Sequence, residues 1–331
     1  MASAAFLDVR DLRVRIHTKS GVVHPLRSVS FSVGAGERLG VVGESGSGKS
    51  VMCRSILRLL PPKHTETDGQ IVFEGRNLVE LPERDLVQVR GTKISMVLQD
   101  PLTALNPVLS AYSQVAEPLM LHRRLRGSAL EEAVVHYLRE VGIPDPKRTM
   151  TSFPHQLSGG MRQRVLIAAA IASEPRLLLA DEPTTALDVT VQAQILRLIR
   201  RLSQEHDMAL ILVSHNLGVI AETCQRIVVM YAGQMMEWGA TEDVLHSPRH
   251  PYTLGLMRSV PRLGESRQDD IQGIPGLPPD LRNPPSGCPF RFRCPHTTAD
   301  CASADVPRTL TEVEPGHFTS CINDRLVREG V

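Results

Sequence analysis

The sequence has almost no charge imbalance and no long apolar run. Lys and Arg total 37 against 36 Asp and Glu in 331 residues, so charge gives no reason to expect nucleic-acid binding. The most apolar runs, at 166–172, 177–180 and 209–213, are far shorter than the roughly 20 residues of a membrane-spanning helix. Charges at Asp8 and Arg10 also argue against a secretory signal. We therefore expect a cytoplasmic location by default.

Aromatic residues make up only 4% of the chain, and the six cysteines are unevenly placed. Cys53 and Cys224 lie in apolar or helical surroundings, which predicts small buried side chains. The other cysteines all lie beyond residue 287, with five, six and nineteen residues between successive members: Cys288, Cys294, Cys301 and Cys321. In a reducing compartment this clustering favours metal ligation over disulfides. The spacing allows a [4Fe–4S] cluster or a tetrahedral Zn²⁺ ion, and bare thiols are the third possibility.

The order of sequence patterns predicts an α/β fold. Strand-like alternation in the first 40 residues indicates an antiparallel β layer, and strands alternating with helices later in the chain indicate a mainly parallel core sheet. A helical pattern from Ser110 to about Gly142 reads as an inserted subdomain, placed at about 100–165. From Pro261 the chain becomes rich in Pro and Gly. We predict a domain over 1–260 and a Cys-rich extension over 261–331.

The stretch GESGSGKS, residues 43–50, follows the apolar strand RLGVVG and precedes a helix predicted from Gly48 to about Leu60. It fits the P-loop pattern G-x-x-x-x-G-K-[ST], whose glycines let backbone N–H groups converge on phosphate oxygens at a helix N-terminus. Lys49 is expected to reach the β and γ phosphates, and Ser50 to ligate Mg²⁺. The predicted nucleotide-binding stretch comprises Gly43, Glu44, Ser45, Gly46, Ser47, Gly48, Lys49, Ser50 and Val51.

A second acidic element supports a nucleotide triphosphatase. LLLADEP reads as a buried strand that ends in Asp181 and Glu182. A carboxylate at the first position is suited to holding Mg²⁺ through water, and one at the second to polarising a water molecule for attack on the γ phosphate. We therefore predict that Asp181 is a Mg²⁺ residue and Glu182 the catalytic base.

LSGGMRQR, residues 157–164, places another phosphate-compatible glycine pair at a helix start. Between a P-loop and an Asp–Glu pair, it resembles the signature of ATP-binding cassette (ABC) proteins, and the resemblance covers roughly residues 5–260. Other family positions follow in order: Gln99 matches the Q-loop, 186–188 the D-loop, and His215 the switch histidine. In the family's early β layer an aromatic residue usually stacks on adenine; here Ile16 and His17 stand at that place.

The ABC resemblance implies a head-to-tail dimer that sandwiches two ATP molecules. Each ATP would lie between one P-loop and the signature loop of the other subunit, Ser158, Gly159 and Gly160. His215 would contact the γ phosphate and Gln99 would sense Mg²⁺, which gives Ser50, Gln99 and Asp181 as the implied Mg²⁺ residues. The sequence leaves homodimer and heterodimer open, with a second ATPase subunit the favoured partner.

The phrases HPYTLGLMRSVP, SGCPF and RCP resemble the C-terminal extension of ATP-binding subunits of dipeptide and oligopeptide importers. That family implies ATP-driven peptide import by a complex that includes two permeases and an external peptide-binding protein, with this chain peripheral on the cytoplasmic side of the membrane. The permeases would dock on this chain at about residues 99–142. The family also favours the [4Fe–4S] cluster over zinc. The alternative cargo is nickel or another small solute. A soluble ABC ATPase or a purely regulatory ATP-binding module is disfavoured, because the chain has one P-loop, no heptad run, and both Glu182 and His215.

Overall fold

A computed structural model of the chain describes residues 5–185, 187–259, 273–303 and 309–324. The strands are β1 (Leu7–Thr18), β2 (Gly21–Val33), β3 (Arg38–Val42), β4 (Thr65–Phe73), β5 (Arg76–Asn77), β6 (Ile94–Val97), β7 (Leu177–Asp181), β8 (Ala209–Ser214), β9 (Arg226–Tyr231), β10 (Gln234–Ala240), β11 (Thr311–Glu314) and β12 (His317–Thr319).

The helices are α1 (Lys49–Ile56), α2 (Glu83–Val87), α3 (Pro101–Ala104), α4 (Ala111–His122), α5 (Gly127–Glu140), α6 (Pro146–Thr149), α7 (Gly159–Ile171), α8 (Val189–Glu205), α9 (Leu217–Thr223), α10 (Thr241–His246) and α11 (Pro251–Arg258). The chain divides into two compact units. We call residues 1–33, 39–80 and 214–331 the first unit, and residues 34–38 and 81–213 the second unit.

The first unit contains the predicted antiparallel layer, in the order β2-β1-β4-β5. Strand β1 pairs with both β2 and β4, so that Leu7 lies opposite Val33 on one side and Phe73 on the other. Along β1 the buried residues alternate with exposed ones over much of its length, which is the pattern of a sheet with one face packed against a core.

A second group of strands in the first unit carries the P-loop. Strand β3 is parallel to β9, and β10 then pairs antiparallel with β9. Strands β11 and β12 extend this group, because β12 pairs with β10 and β11 with β12. The sequence analysis did not predict this hairpin of the extension, which turns at Pro315 and Gly316.

The second unit is built on parallel strands. Strand β6 pairs with β7, and β7 with β8, in a continuous parallel register. Every residue of β7 and β8 is buried, as expected for a parallel sheet covered on both faces. The helical pattern predicted from Ser110 corresponds to α4, which Ser110 caps, and to α5. Across the described part of the chain, each helix is too short or too polar to cross a membrane.

Candidate nucleotide site and cysteine cavity

The P-loop joins β3 to α1 through backbone conformations that favour glycine. Gly43 has φ +155°, and a Cβ atom there would lie 2.1 Å from the carbonyl oxygen of Met230. Gly48 has φ +104°, and a Cβ atom there would lie 2.5 Å from the carbonyl oxygen of Pro25. Because no side chain fits at these two positions, the glycines let the loop pass close to neighbouring backbone.

Lys49 begins α1 and is held over the start of the loop. Its side chain is buried, and Nζ donates hydrogen bonds to the carbonyl oxygens of Gly43 at 2.7 Å and Glu44 at 3.0 Å. The N-terminus of α1 presents backbone N–H groups and a positive dipole end beside this ammonium group. This arrangement suits an anion such as a phosphate. Ser50 and Val51 follow in the first turn of α1.

Glu44 is held by two residues that the sequence analysis did not single out. Its backbone N–H donates to the Tyr252 hydroxyl oxygen at 2.8 Å. Its carboxylate accepts two hydrogen bonds from the Arg293 guanidinium, at 2.6 and 3.0 Å. Both partners lie in phrases that carried only the family resemblance, and no local spacing connects them with residue 44.

The second unit brings Gln99 and Glu182, two of the predicted catalytic residues, into contact. Glu182 directly follows Asp181, which is fully buried at the end of β7. The Glu182 carboxylate accepts hydrogen bonds from Gln99 Nε2 at 3.2 Å and from Thr185 Oγ1 at 3.1 Å. Its backbone has φ +45°, and its N–H donates to Val213 O at 3.1 Å. Left-handed backbone at a non-glycine residue is enriched at functional sites. Thr185 is a further contact that sequence reasoning missed.

The signature loop lies at the start of α7. Ser158 caps this helix, its hydroxyl accepting a hydrogen bond from Met161 N at 3.3 Å, and is exposed. A Cβ atom on Gly160 would lie 2.8 Å from Val191 of α8, and one on Gly159 3.1 Å from Leu187. The two glycines therefore have a packing role within this unit as well as their predicted role toward phosphate.

Within the P-loop Ser47 is buried, whereas the predicted residues His215, His17 and Ile16, outside the loop, are exposed or half-buried. His215 directly follows β8 and is exposed. His17, at the end of β1, pairs through Nε2 with Glu66 Oε1 at 2.7 Å, while Ile16 is half-buried. Ala186 of the predicted D-loop lies outside the described residues. The roles assigned to these positions stay predictions.

The four clustered cysteines line one cavity of about 20 Å³ in the first unit. Burial raises the pKa of the Cys294 thiol to about 11 and that of the Cys321 thiol to about 12. Within the described ranges, however, no group of three or more His, Cys, Asp or Glu side chains is arranged to hold a metal ion. The structure therefore does not support the predicted metal-binding extension as such. Cys53 and Cys224 are buried, as predicted.

Comparisons with known proteins agree with both parts of the chain. Residues 26–185 match the ABC transporter family, and residues 236–301 match the C-terminal region of oligopeptide and dipeptide transporters. The chain is 48% identical to the dipeptide transport ATP-binding protein DppD of Bacillus subtilis, over 95% of this chain and 93% of that protein. It is 45% identical to the oligopeptide transport ATP-binding protein OppD of Escherichia coli, over 96% of this chain and 93% of that protein.

A solved structure supports the fold. The ATP-binding cassette MJ0796, in a dimeric post-hydrolysis state bound to ADP and Pi, superposes with a TM-score of 0.64 at 28% identity. The match covers 71% of this chain and 98% of that one. The P-loop, whose conformation requires glycine at two positions, and the Gln99–Glu182 contact agree with these relatives. The chain is therefore a member of the ABC transporter family, in its group of dipeptide and oligopeptide transport ATP-binding subunits.

Proposed function

We propose that this chain is the ATP-hydrolysing subunit that powers import of dipeptides or oligopeptides across the cytoplasmic membrane. The observation that carries the proposal is the combination of a P-loop with a buried lysine and an extension matching that of peptide transporters. Two permease subunits would supply the transport path, and an external peptide-binding protein would deliver cargo to them. A second ABC ATPase subunit would complete the ATP-bound dimer, on the cytoplasmic face.

We further propose how the site residues divide the work on ATP. Lys49 and the loop amides bind the β and γ phosphates, and Glu182 takes the proton of the attacking water. His215 holds that water against the γ phosphate, and Gln99 links the bound nucleotide to the inserted helices. Mg²⁺, which neutralises developing charge on the phosphates, would be held by Ser50, Gln99 and Asp181. Ser158, Gly159 and Gly160 would contact the ATP bound by the other subunit.

The test is uptake measured with purified subunits. The chain, its partner ATPase and the permeases are reconstituted in vesicles with the external peptide-binding protein, and ATP-dependent uptake of a labelled dipeptide is compared with uptake of Ni²⁺. Lys49→Ala should abolish uptake and weaken ATP binding, whereas Lys63→Ala, an exposed lysine beyond α1, should change neither. Nickel uptake without peptide uptake would contradict the peptide cargo. Equal ATP binding by Lys49→Ala and the natural chain would contradict the site.

A second proposal concerns the cysteine cavity, where we propose a [4Fe–4S] cluster. The cavity brings together Cys288, Cys294, Cys301 and Cys321, the donor set that either a cluster or zinc requires. A tetrahedral Zn²⁺ needs its sulfurs within about 4 Å of one another, given Zn–S distances near 2.3 Å. Among the described residues no group of three or more His, Cys, Asp or Glu side chains is arranged to hold a metal ion, so the proposal rests on the shared cavity and on the resemblance to peptide-importer subunits. A cluster binds each sulfur to a different iron, so it accepts more widely separated thiols.

Metal analysis tests this second proposal. Protein purified without oxygen should contain about four irons and four sulfides per chain. Cys294→Ser should lose them, while Cys224→Ser, a buried cysteine outside the cavity, should retain them. One zinc ion per chain, without iron or sulfide, would show that the site holds a structural zinc ion and no cluster. Protein free of iron and zinc would overturn the metal site altogether.

A further inference from the structure

Glu44 is the P-loop residue through which the C-terminal part of the chain contacts the nucleotide site. It stands between the strand residue Val42 and the loop glycines, separated from the strand by Gly43 alone. Its carboxylate is bound by Arg293 and its backbone N–H by Tyr252. We call Tyr252 and Arg293 the Glu44 anchor. Both anchor residues and the P-loop belong to the first unit.

Arg293 is fixed on several sides at once. Its side chain is 5% exposed, and its Nη1 also donates to the Tyr231 hydroxyl at 3.2 Å. Nε donates to the carbonyl oxygen of Pro275 at 2.8 Å, and Nη2 to that of Ile274 at 2.9 Å. Burial alone would lower the pKa of Arg293, but its hydrogen bonds to Glu44 and Tyr231 more than offset this and raise it. The guanidinium therefore remains charged and in one orientation.

Tyr252 is held by an aromatic cluster. Its ring centroid lies 4.7 Å from that of Tyr231 and 5.2 Å from that of Phe290, and the ring is fully buried. Burial raises the pKa of Tyr252, so the hydroxyl is protonated at neutral pH. The anchor thus presents a fixed hydroxyl and a fixed guanidinium to one loop residue. Such rigidity is what a positioning group needs.

Glu44 in turn contacts the groups that face phosphate. Its carbonyl oxygen accepts hydrogen bonds from Lys49 Nζ at 3.0 Å and from the backbone N–H of Ser47 at 3.2 Å. A shift of Glu44 would therefore move the ammonium group and change the course of the loop. Within the first unit, a continuous set of hydrogen bonds runs from Arg293 through Glu44 to Lys49.

We infer that Tyr252 and Arg293 are positioning residues for ATP binding, which hold the P-loop in its binding conformation before the nucleotide arrives. The inference rests on the proposed role of Lys49 and the loop. A loop ordered in advance loses less conformational freedom on binding, so the anchor raises affinity without touching ATP. It contributes equally to the ground state and the transition state. Its loss should therefore raise KM for ATP and leave kcat nearly unchanged.

Substitutions at the anchor test the inference in the full chain assembled with its partner ATPase. Arg293→Gln should raise the Kd and KM for ATP about tenfold, as expected for loss of a charge-assisted hydrogen-bonded pair. Arg293→Lys should raise the Kd and KM less than Arg293→Gln does, because lysine keeps the positive charge but cannot form the bidentate pair. Tyr252→Phe keeps the aromatic ring and should raise Kd about threefold. For all three, kcat at saturating ATP should stay within about twofold.

The control is a second bidentate arginine–carboxylate pair in the extension. Arg282 binds Asp280 through Nε and Nη2, but both side chains are about half exposed, and neither contacts the P-loop. Arg282→Gln should therefore leave Kd, KM and kcat unchanged. If it raises KM as much as Arg293→Gln does, the effect is a general one of altering the extension, and the inference fails.

A double-mutant cycle separates positioning from folding. If Arg293 acts through Glu44, Arg293→Gln combined with Glu44→Gln should bind ATP no more weakly than the more affected single variant. Additive losses would overturn the inference, as would a fall in kcat with KM unchanged. If Arg293→Gln does not fold, the Kd and KM of Tyr252→Phe still test the inference. Lys49→Ala is run in the same assay: if it binds ATP normally, the site assignment has failed, whatever the anchor variants do.

Discussion

In the first unit, Glu44, the second residue of the P-loop, is held by side chains 208 and 249 positions further along the chain, Tyr252 and Arg293. In the second unit, Glu182 is held by Thr185, three positions away, and by Gln99, 83 positions before it. The second set lies within the cassette itself. The first set joins the cassette to sequence matching the peptide-transporter C-terminal region. The comparison indicates that Glu182, the proposed base, is held by the cassette alone, whereas the P-loop is also held by the extension.

The largest effect is expected at Glu182. Glu182→Gln keeps the size of the side chain and an oxygen that can accept hydrogen bonds from Gln99 and Thr185. It removes the carboxylate proposed to take a proton from water, so we expect turnover to fall about 1,000-fold, within the usual range for general-base catalysis. ATP binding should persist, and the ATP-bound dimer should accumulate. ATPase assays with the partner subunit present, together with size-exclusion chromatography, measure both effects.

A matched control for Glu182→Gln lies in the same unit. Glu205→Gln removes a carboxylate that pairs with Arg201 on the surface of α8, and such exposed pairs contribute little to stability. It should leave turnover unchanged. An unchanged ATPase rate in Glu182→Gln would refute its role as the base. A loss of ATP binding in that variant would instead show that the carboxylate also shapes the site.

The next effect tests the close packing around the P-loop. Gly43→Ala places a Cβ atom 2.1 Å from the backbone oxygen of Met230, at φ +155°. Overpacking and an unfavourable backbone conformation together should lower the free energy of unfolding by about 3 kcal/mol. Gly46→Ala, at φ +79° with open space around the new atom, should cost only about 1 kcal/mol. Urea unfolding of the nucleotide-free protein measures both, and equal losses would show that packing against β9 does not restrain the loop.

Much of the nucleotide site could be predicted because its residues lie in local patterns. A mainly apolar strand, a glycine-rich loop and Lys49 at a helix start follow one another directly, and Glu182 follows a fully buried strand that ends in Asp181. The helix after the loop is shorter than predicted: α1 ends at Ile56, and Arg58 adopts φ +49° before the prolines are reached. Local patterns locate elements well and their ends less well.

The Glu44 anchor and the hairpin of the extension could not be predicted in the same way. Arg293 lies in a segment without helical or strand periodicity, and nothing within its neighbourhood selects residue 44 as its partner. Strand β12 is three residues long and is stabilised by pairing with β10, 80 positions earlier. Such elements form because distant chain offers them partners, so a single sequence read locally contains little trace of them.

The smallest predicted effect is at Tyr137, and it tests whether the second unit also relies on a buried polar contact. Tyr137 of α5 donates a hydrogen bond to Glu174 at 3.0 Å and accepts one from Arg123 at 2.8 Å. Burial, followed by the charge of Glu174, raises the pKa of Tyr137 to about 12. The phenol therefore stays neutral in the folded protein at a pH where it ionises in the unfolded chain, at about 10. This stabilisation is present below pH 10 and is lost as pH rises from 10 towards 12.

Tyr137→Phe should consequently lower the free energy of unfolding by about 1 kcal/mol at neutral pH, and the difference from the natural chain should shrink above pH 10. Urea unfolding between pH 7 and 11.5 measures the difference in the free energy of unfolding between the two proteins. The contributions of the other titrating groups are the same in both and cancel from this difference. Tyr112→Phe, at a partly exposed tyrosine of α4, is the matched control for losing a hydroxyl. A difference near zero at every pH would mean that Tyr137 acts by the packing of its ring alone. The hydrogen bonds of Tyr137 would then add nothing to the stability of the second unit, which would sharpen the contrast with the Glu44 contacts of the first.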